Sequence, residues 1–224
     1  MNIPFLSGFK KGKLNIPNKN KCVHVVVTDN WMPDICEITI PNLKQYAKKI
    51  GADFNLITTR KFPDYPPAYE KFQIYEDGKD YRWNINIDAD TILHKNTEDP
   101  TKLLDPRYFG GYNYKTNKKI FGWNKYFERD GRFIYVYTYF TVNSWLTHDV
   151  WTPLEIPFKE AKKNIYIKPN FIVEFALSQN ISRFGIKQTI PLSDDSKMFT
   201  ANITSEQLID AVNVLKSKLK EWDN

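Results

Sequence analysis

The sequence predicts a single α/β domain with a mostly parallel, mixed central sheet flanked by helices. Strand-like apolar runs alternate with helical patterns through the first half of the chain, and turn-forming residues separate them. With 224 residues, of which 42% are hydrophobic, the chain is long enough for one sizeable core and short for two. We therefore treat residues 1–224 as one domain.

The first half of the chain, residues 22–93, predicts a strand–helix–strand–helix–strand unit. The run CVHVVVTDN at 22–30 is typical of a strand buried on both faces. Apolar residues from Ile35 to Ile50 recur at helical spacing, and Gly51 provides a helix C-terminus. The remaining elements of this half are a strand at 53–59, a short helix within 70–81 that closes near Gly78, and a third strand within 84–93.

The second half is less regular but contains strands, helices and aromatic residues. A helix at the C-terminus, 204–222, has a capping-box pattern from Thr204 to Gln207 and an apolar face. The other predicted elements are strands at 107–114 and 132–143, an amphipathic helix at 170–185 and a strand at 185–190.

The charge of the chain favours anionic partners without indicating nucleic acid. The formal net charge is +6, which suits nucleotide phosphates or anionic lipid headgroups. The lysines are dispersed, and we find no helix-turn-helix, zinc-finger or RNA-binding motif. A nucleic-acid partner is therefore not predicted. The basic C-terminal helix, with Lys216, Lys218 and Lys220, raises the hypothesis of a peripheral membrane contact.

Two features favour a cytoplasmic location. The chain has only two cysteines, Cys22 and Cys36, which are too few for a disulfide framework or a zinc site. Its first residues also include no apolar stretch long enough for a secretory signal. We expect both thiols to be free.

The acidic pair Asp88 and Asp90 ends the third predicted strand. Residues two apart in a strand share a face, so two ionised carboxylates there repel each other unless a cation or a proton lies between them. One chemistry that uses this arrangement is a hard divalent cation, Mg²⁺ or Mn²⁺, that also binds the phosphates of a nucleotide sugar. Ligands of such sheets collect beyond the carboxyl ends of the strands, where this pair is expected.

A second chemistry uses the same pair without a nucleotide sugar. Asp88 would be a phosphoryl-accepting nucleophile and Asp90 its acid/base partner, as in haloacid-dehalogenase-like phosphatases. Asp194 and Asp195 would then supply the later acidic pair for magnesium. The order of strands opposes this alternative, because that nucleophile normally follows the first strand and here two strands come before it.

The segment YEKFQIYEDGKDYRWNINIDADTIL resembles the helix, strand and DxD segment of GT-A fold glycosyltransferases. The resemblance continues upstream in VVVTDNWMPDICEITIPNLKQYAKKIGADFNLIT, and downstream in YFTVNSWLTHD and VEFALSQNISRFGIK. It spans most of residues 22–190. The implied fold is a single GT-A, Rossmann-like domain, with 22–93 as the nucleotide-binding half and 94–190 as the acceptor-side half.

The resemblance implies a set of donor-binding residues. Asp88 and Asp90 correspond to the metal and ribose contacts of the family. Thr28 and Asp29 would lie near the nucleoside. Arg60 and Lys71 would lie beside the base or diphosphate, where their side chains offer charge-assisted hydrogen bonds.

The resemblance also implies residues on the acceptor side. Asn143 corresponds to a position that lines the donor-sugar and acceptor pocket. Glu174 is the first candidate for a carboxylate base on the acceptor hydroxyl, and Asp149 is the second. Many family members add a late histidine to the metal, and this chain has none in its C-terminal third. Asp194 or Asp195 would substitute, or the ion would be bound mainly by Asp90, the diphosphate and water.

The implied activity is transfer of a sugar from a nucleotide-diphosphate sugar, with a uridine diphosphate sugar favoured, to a carbohydrate or glycoconjugate acceptor. Mn²⁺ or Mg²⁺ would be the cofactor. A third hypothesis is a nucleotide-sugar or glycan binding module that keeps the fold but has lost turnover.

Overall fold

The computed structural model describes residues 17–113, 137–160, 172–189, 197–201 and 208–223, and it confirms the predicted α/β fold. The eight strands among them are β1 (Lys19–Val26), β2 (Asp53–Ile57), β3 (Tyr81–Ile87), β4 (Thr91–Leu93), β5 (Tyr108–Asn113), β6 (Tyr137–Asn143), β7 (Lys187–Thr189) and β8 (Met198–Thr200). The α-helices in the same ranges are α1 (Pro33–Ile50), α2 (Ile74–Asp77), α3 (Ser144–Trp151), α4 (Ile172–Arg183) and α5 (Leu208–Asp223). Two 3₁₀ segments cover Pro67–Gln73 and Pro100–Lys102.

In the described parts of the chain, the central sheet has six strands in the order β2-β1-β3-β6-β5-β7. β1 is parallel to both β2 and β3, and β5 is parallel to β7, whereas β6 is antiparallel to both of its neighbours. A separate two-stranded sheet pairs β4 with β8 in antiparallel orientation. The carboxyl ends of β1 and β3 therefore lie at the same edge of the sheet.

Helices cover both faces of this sheet. On one face, α1 packs over Val23, Val25, Ile85 and Ile87 of the parallel strands. On the other face, the 3₁₀ segment Pro67–Gln73 packs with α3 and α4 around buried aromatic side chains, of which Tyr69, Phe72 and Trp151 are the largest. Burying large apolar side chains on both faces is what a mostly parallel sheet requires.

Helix α1 follows the predicted apolar spacing. Its buried positions are Ile35, Thr39, Leu43, Tyr46, Ala47 and Ile50. Gly51 ends the helix at a φ of 68°, a left-handed conformation that glycine adopts without a steric penalty. Pro41 lies inside the helix, which continues through it. Both cysteines, Cys22 and Cys36, are free as expected.

The structure differs from the sequence predictions in three elements. The third strand ends at Ile87, so Asp88 and Asp90 lie in a turn rather than in the strand. Helix α3 was not predicted, and neither was β8, which pairs with β4. The predicted positions Asp194, Asp195 and Thr204–Gln207 lie outside the described residues.

Helix α5 packs its apolar face against the domain. Leu215 is fully buried, and Leu219 and Trp222 are partly buried in a cluster that includes Ile35 and Ile92. This packing uses the face that a membrane-bound helix would present to lipid. Within the described parts of the chain, we find no helix with both the length and the apolar character that crossing a bilayer requires.

Candidate active site

Three chain segments surround a cavity of about 310 Å³ at the carboxyl ends of β1 and β3. The loop after β1 contributes Thr28 and Trp31. The segment Pro66–Lys71 forms a second wall, and the turn after β3, Asp88–Asp90, forms a third side. The structure thus brings the segments after β1 and β3, which the sequence placed at one sheet edge, together with the segment 66–71.

The turn Asp88–Asp90, here called the acidic turn, is held through all three of its carbonyl oxygens. Asp88 O accepts a hydrogen bond from Thr91 N at 3.1 Å. Ala89 O accepts one from Thr39 Oγ1 of α1 at 2.5 Å, and Asp90 O accepts one from Ala201 N, next to β8, at 3.1 Å. Because each carbonyl is bonded to a different element, the backbone that carries both carboxylates is fixed in place.

Lys71 is the cation that faces this turn. Its Nζ lies 2.5 Å from Asp88 Oδ1, and the lysine is 7% exposed. Burial alone would lower the pKa of Lys71, but the carboxylates of Asp88, Glu174 and Asp90 outweigh burial and raise the pKa above its usual value. Lys71 is therefore charged at neutral pH.

Glu174, in the first turn of α4, joins the same cluster from the second half of the chain. Its Oε2 is buried and has no hydrogen-bond partner among the described residues. Burial raises the pKa of Glu174 to about 7, the charge of Lys71 opposes this, and the charge of Asp88 adds to it. A carboxyl group with a pKa near neutrality can both donate and accept a proton under physiological conditions.

The loop after β1 has an unusual backbone. Asp29, Asn30 and Met32 have φ values of 56°, 52° and 39°. Such conformations are uncommon in residues other than glycine, and they cluster at ligand sites. Thr28 is 2% exposed, lines the cavity and has a buried Oγ1 with no partner within the described residues. A buried hydroxyl without a partner needs an explanation, and a ligand in the cavity that Thr28 lines is one.

Arg60 lies behind this loop instead of lining the cavity. Its Nη1 donates to Asp29 Oδ2 at 2.5 Å, and its Nε donates to Glu70 Oε1 at 2.9 Å. The predicted contact of Arg60 with base or diphosphate stays a prediction. In this structure all three of its guanidinium nitrogens donate to protein acceptors, and Nη2 reaches the carbonyl of Tyr65.

The structure does not bring Asn143 to this cavity. Asn143 pairs with Trp83, whereas Ile87, which precedes the acidic turn, pairs with Tyr139. At about 3.4 Å per residue, the two sites are roughly 14 Å apart along the sheet. Asn143 is buried and caps α3 by accepting a hydrogen bond from Trp145 N. A helix N-cap is a common role for asparagine and explains its burial without a ligand.

Asp149 lies in α3, and none of its described contacts reaches the acidic turn. Burial raises its pKa, and the charge of His148 opposes this. Its proposed role as a base stays a prediction.

The acidic turn offers two carboxylates to a hard divalent cation. Carboxylate oxygens are suitable donors for Mg²⁺ or Mn²⁺. Within the described ranges no group of three or more His, Cys, Asp or Glu side chains is arranged to hold a metal ion. Lys71 also occupies one oxygen of Asp88. The residues fit a cation bound by Asp90 with help from Asp88, with the other positions filled by donor phosphates and water, which is a usual arrangement for Mg²⁺.

A larger cavity, of about 460 Å³, lies between α1, α5 and the chain after β4. Several of its polar side chains already have protein partners. Asn42 exchanges two hydrogen bonds with the backbone of Leu93, and Lys49 donates to two carbonyls. Tyr46 donates to the carbonyl of Glu98. We therefore place the candidate site at the smaller cavity, where the acids, Lys71 and Thr28 converge.

Sequence reasoning missed several groups that shape this site. Thr39 was assigned only to a helix, although its hydroxyl holds the acidic turn. Trp31, Pro66 and Pro67 lie between predicted elements and no role was predicted for them, although they line the cavity. The dense turn signals around these residues could have marked them as rigid walls, whereas the contact of Thr39 has no local sequence signal.

The fold is similar to that of solved glycosyltransferases. A glycosyltransferase involved in the glycosylation of the major capsid of PBCV-1 matches with a TM-score of 0.57 at 9% identity, over 88% of this chain and 99% of that one. The galactosyltransferase LgtC, solved with donor and acceptor sugar analogs, matches with a TM-score of 0.49 at 10% identity, over 86% of this chain and 95% of that one. At 9% identity, the likeness to the first of these structures is one of fold. No protein-family model and no curated protein matches the sequence.

Proposed function

We propose that this protein is a glycosyltransferase that moves a sugar from a nucleotide-diphosphate sugar to a carbohydrate or glycoconjugate acceptor. One observation carries the proposal: Lys71, Asp88 and Glu174 form a charged cluster at a cavity beyond the ends of β1 and β3. Ligands of open α/β sheets bind at this place. The GT-A type fold supports the same class of reaction.

The acidic turn is proposed to bind the donor diphosphate through a divalent cation. Asp90 is the main protein ligand and Asp88 assists it. Mn²⁺ or Mg²⁺, when bound, neutralises the charge that develops on the departing diphosphate. Lys71 adds a fixed positive charge at the same place, because its ammonium is buried beside Asp88 and stays protonated. The hydroxyl of Thr28, which lines the cavity and has no hydrogen bond among the described residues, is proposed to bind the nucleoside.

Glu174 is proposed to act on the acceptor hydroxyl. Its pKa of about 7 makes the ionised form available near neutral pH while the group remains basic enough to accept a proton. Its Oε2 has no hydrogen bond among the described residues, so it can accept one from a substrate. Asp149 remains the second candidate for this role.

The proposal is tested by ligand-dependent thermal stability. A nucleoside diphosphate with Mn²⁺ should raise the melting temperature, since a ligand that binds only the folded state stabilises it by roughly 2.7 kcal/mol at 100 times its Kd. The Asp90→Asn variant should lose the metal-dependent part of this gain. Asp105→Asn is the matched control, because Asp105 is paired with exposed Arg107 and does not line the cavity.

Turnover separates the proposal from its two rivals. Release of nucleoside diphosphate from a nucleotide sugar, increased by acceptor, supports the transferase. Hydrolysis of a generic phosphate ester that depends on Asp88 would indicate the phosphatase instead. Stabilisation without any turnover would indicate a binding module.

A further inference from the structure

The two main walls of the 310 Å³ cavity come from distant parts of the chain, and one side chain connects them. The first wall is the loop 28–32, with Thr28 and Trp31 facing the cavity. The second is the segment 66–71, with Pro66, Pro67, Ala68 and Lys71. Arg60 lies outside the lining but forms ion pairs with Asp29 in the first wall and with Glu70 in the second.

On the side of the second wall, the connection is firmly anchored. Glu70 is fully buried, and its carboxylate accepts hydrogen bonds from Arg60 Nε, from the backbone of Lys61 and Phe62, and from Gln73 Nε2. Arg60 Nη2 also donates to the carbonyls of Phe62, Pro63 and Tyr65. The guanidinium group is therefore held in one orientation before it reaches the first wall.

On the side of the first wall, the connection holds a strained loop. Asp29, Asn30 and Met32 all have positive φ values, which persist only where the surroundings impose them. The 2.5 Å contact from Arg60 Nη1 to Asp29 Oδ2 is such a constraint, and it acts at the first strained residue. A planar guanidinium can hold Asp29 and Glu70 at a fixed separation, whereas a lysine ammonium offers no such rigid geometry.

We propose that Arg60 is a positioning residue that sets the separation of the two cavity walls and does not itself contact the donor. The inference rests on the proposed function, because it treats the cavity as the donor site. It predicts that the contribution of Arg60 to donor affinity passes through Asp29. Release of either partner frees the loop that carries Thr28 and Trp31, and it loosens one wall against the other.

A double-mutant cycle tests this directly. The variants are Arg60→Met, Asp29→Asn and the double variant, and the measurement is the Kd of a nucleoside diphosphate with Mn²⁺ by titration calorimetry. Each single variant should weaken binding about 5- to 50-fold, and the double variant should bind no more weakly than the weaker single variant. Asparagine is chosen at position 29 because it tolerates the positive φ there. Arg60→Lys, which keeps the charge but loses the planar fork, should recover only part of the affinity.

The control is Lys61→Met. Lys61 is adjacent to Arg60 in the chain but pairs with Asp77, away from the cavity. The Lys61→Met variant should therefore bind the nucleoside diphosphate with the same Kd as the wild type. If the increases in Kd caused by Arg60→Met and by Asp29→Asn multiply in the double variant, Arg60 contacts the donor independently of Asp29. That result overturns the inference.

Hydrogen exchange provides a readout that needs no ligand. Arg60→Met and Asp29→Asn should both speed amide exchange in 28–32, and Lys61→Met should not. Unchanged exchange in both variants overturns the positioning role, whatever the binding data show. If the wild type binds no nucleoside diphosphate while exchange changes as expected, the proposed function fails and the coupling of the two walls stands.

Discussion

The ammonium of Lys71 faces carboxyl groups from distant parts of the chain. Asp88 lies 2.5 Å away, and the charge of Glu174 also acts on Lys71, although 103 positions separate the two in the sequence. Asp90 of the acidic turn also acts on Lys71, so the buried ammonium neutralises part of the negative charge of three carboxyl groups. A donor diphosphate would add negative charge at this place, and for this reason the proposed mode of binding includes a divalent cation.

Replacing Glu174 tests the catalytic role proposed for it. Glu174→Gln should lower kcat about 10²- to 10⁴-fold, because it removes the proton acceptor while keeping the shape of the side chain. Nucleoside diphosphate affinity should change little. Wild-type kcat should also rise with pH through about 7, as Glu174 loses its proton, and this rise should be absent in the variant. Steady-state kinetics across pH 5–9 is the measurement.

Asp149→Asn is the matched comparison for that experiment. Its described contacts do not connect it with the cavity, so activity should stay within a few-fold of the wild type. A loss as large as that of Glu174→Gln would assign the base to Asp149 instead.

At the residue level, the sequence located much of the candidate site but not its pairings. Thr28 and the acidic turn meet because residues that follow parallel strands lie at one sheet edge, whereas Lys71 and Glu174 reach the same cluster from a 3₁₀ segment and from helix α4. The ion pairs of Lys71 and Arg60 depend on side-chain directions that only the packed structure defines. Glu174 was found through family resemblance, since an acid in the first turn of a helix is common for other reasons.

At the scale of elements, the acidic turn is where the sequence prediction and the structure diverge. Alternation of polar and apolar residues holds through Ile87, and the apolar Ile92 and Leu93 then suggested that the strand continues. In the structure those two residues belong to β4, which pairs with β8 in a second sheet. No local pattern shows that an apolar run changes sheets, because both parts are buried.

Removing the Thr39 hydroxyl tests how the acidic turn is held. Thr39→Val should destabilise the fold by about 1–3 kcal/mol, since it leaves the buried carbonyl of Ala89 without its donor from α1. Urea denaturation measures this change. The variant should also weaken nucleoside diphosphate binding, because Ala89 lies between the two acids.

The control for Thr39→Val is Thr39→Ser, which keeps the hydroxyl and loses only a methyl group. Equal stability of the valine variant and the wild type would contradict the account of a turn held from α1.

At the scale of the whole molecule, most elements of both halves lie close to their predicted ranges, including β5, β6, α4, β7 and α5 in the second half, whereas the strand directions of the second half were not predictable. Residues 22–93 follow simple periodic patterns, and β1, α1, β2 and β3 lie where those patterns indicated. Asn143 is the last residue of β6 in the second half. Because β6 is antiparallel to β3, Asn143 pairs near the start of β3 and lies away from the acidic turn, which follows the end of β3. Strand direction is a property of the assembled sheet and has no local sequence signal.

A buried histidine network makes the stability of the molecule sensitive to acid. His24 is fully buried in β1, where Nε2 contacts Asn84 Oδ1 at 2.8 Å and Nδ1 contacts Asn55 Nδ2 at 3.2 Å. Burial lowers the pKa of His24 from 6.5 to about 4, whereas the bond with Asn84 and the charge of Asp77 oppose this. The folded state therefore keeps His24 neutral at pH values where the unfolded chain takes up a proton.

The expected result is a loss of stability as the pH falls from about 6.5 to about 4, and no contribution from His24 above that window. The difference in pKa corresponds to roughly 3 kcal/mol. Glu174 acts in the opposite direction, because its raised pKa adds stability at low pH that is lost as the pH rises from 4.5 to about 7. The measurement is therefore the difference between wild type and His24→Asn in urea denaturation across this range.

His148→Asn, which removes an exposed histidine, is the control for that series. If the acid-dependent loss is the same in wild type and His24→Asn, the buried network does not cause it.

The central claim is that the acidic turn and Lys71 together bind a metal-coordinated diphosphate. The most direct measurement is a crystal structure of the protein with a nucleotide sugar and Mn²⁺, with the metal located by its anomalous scattering. The account predicts a manganese peak bonded to Asp90 and to two donor phosphates, with Lys71 beside the same phosphates. A donor bound at another place, or at this cavity with no manganese peak and the Lys71–Asp88 pair unchanged, would contradict it.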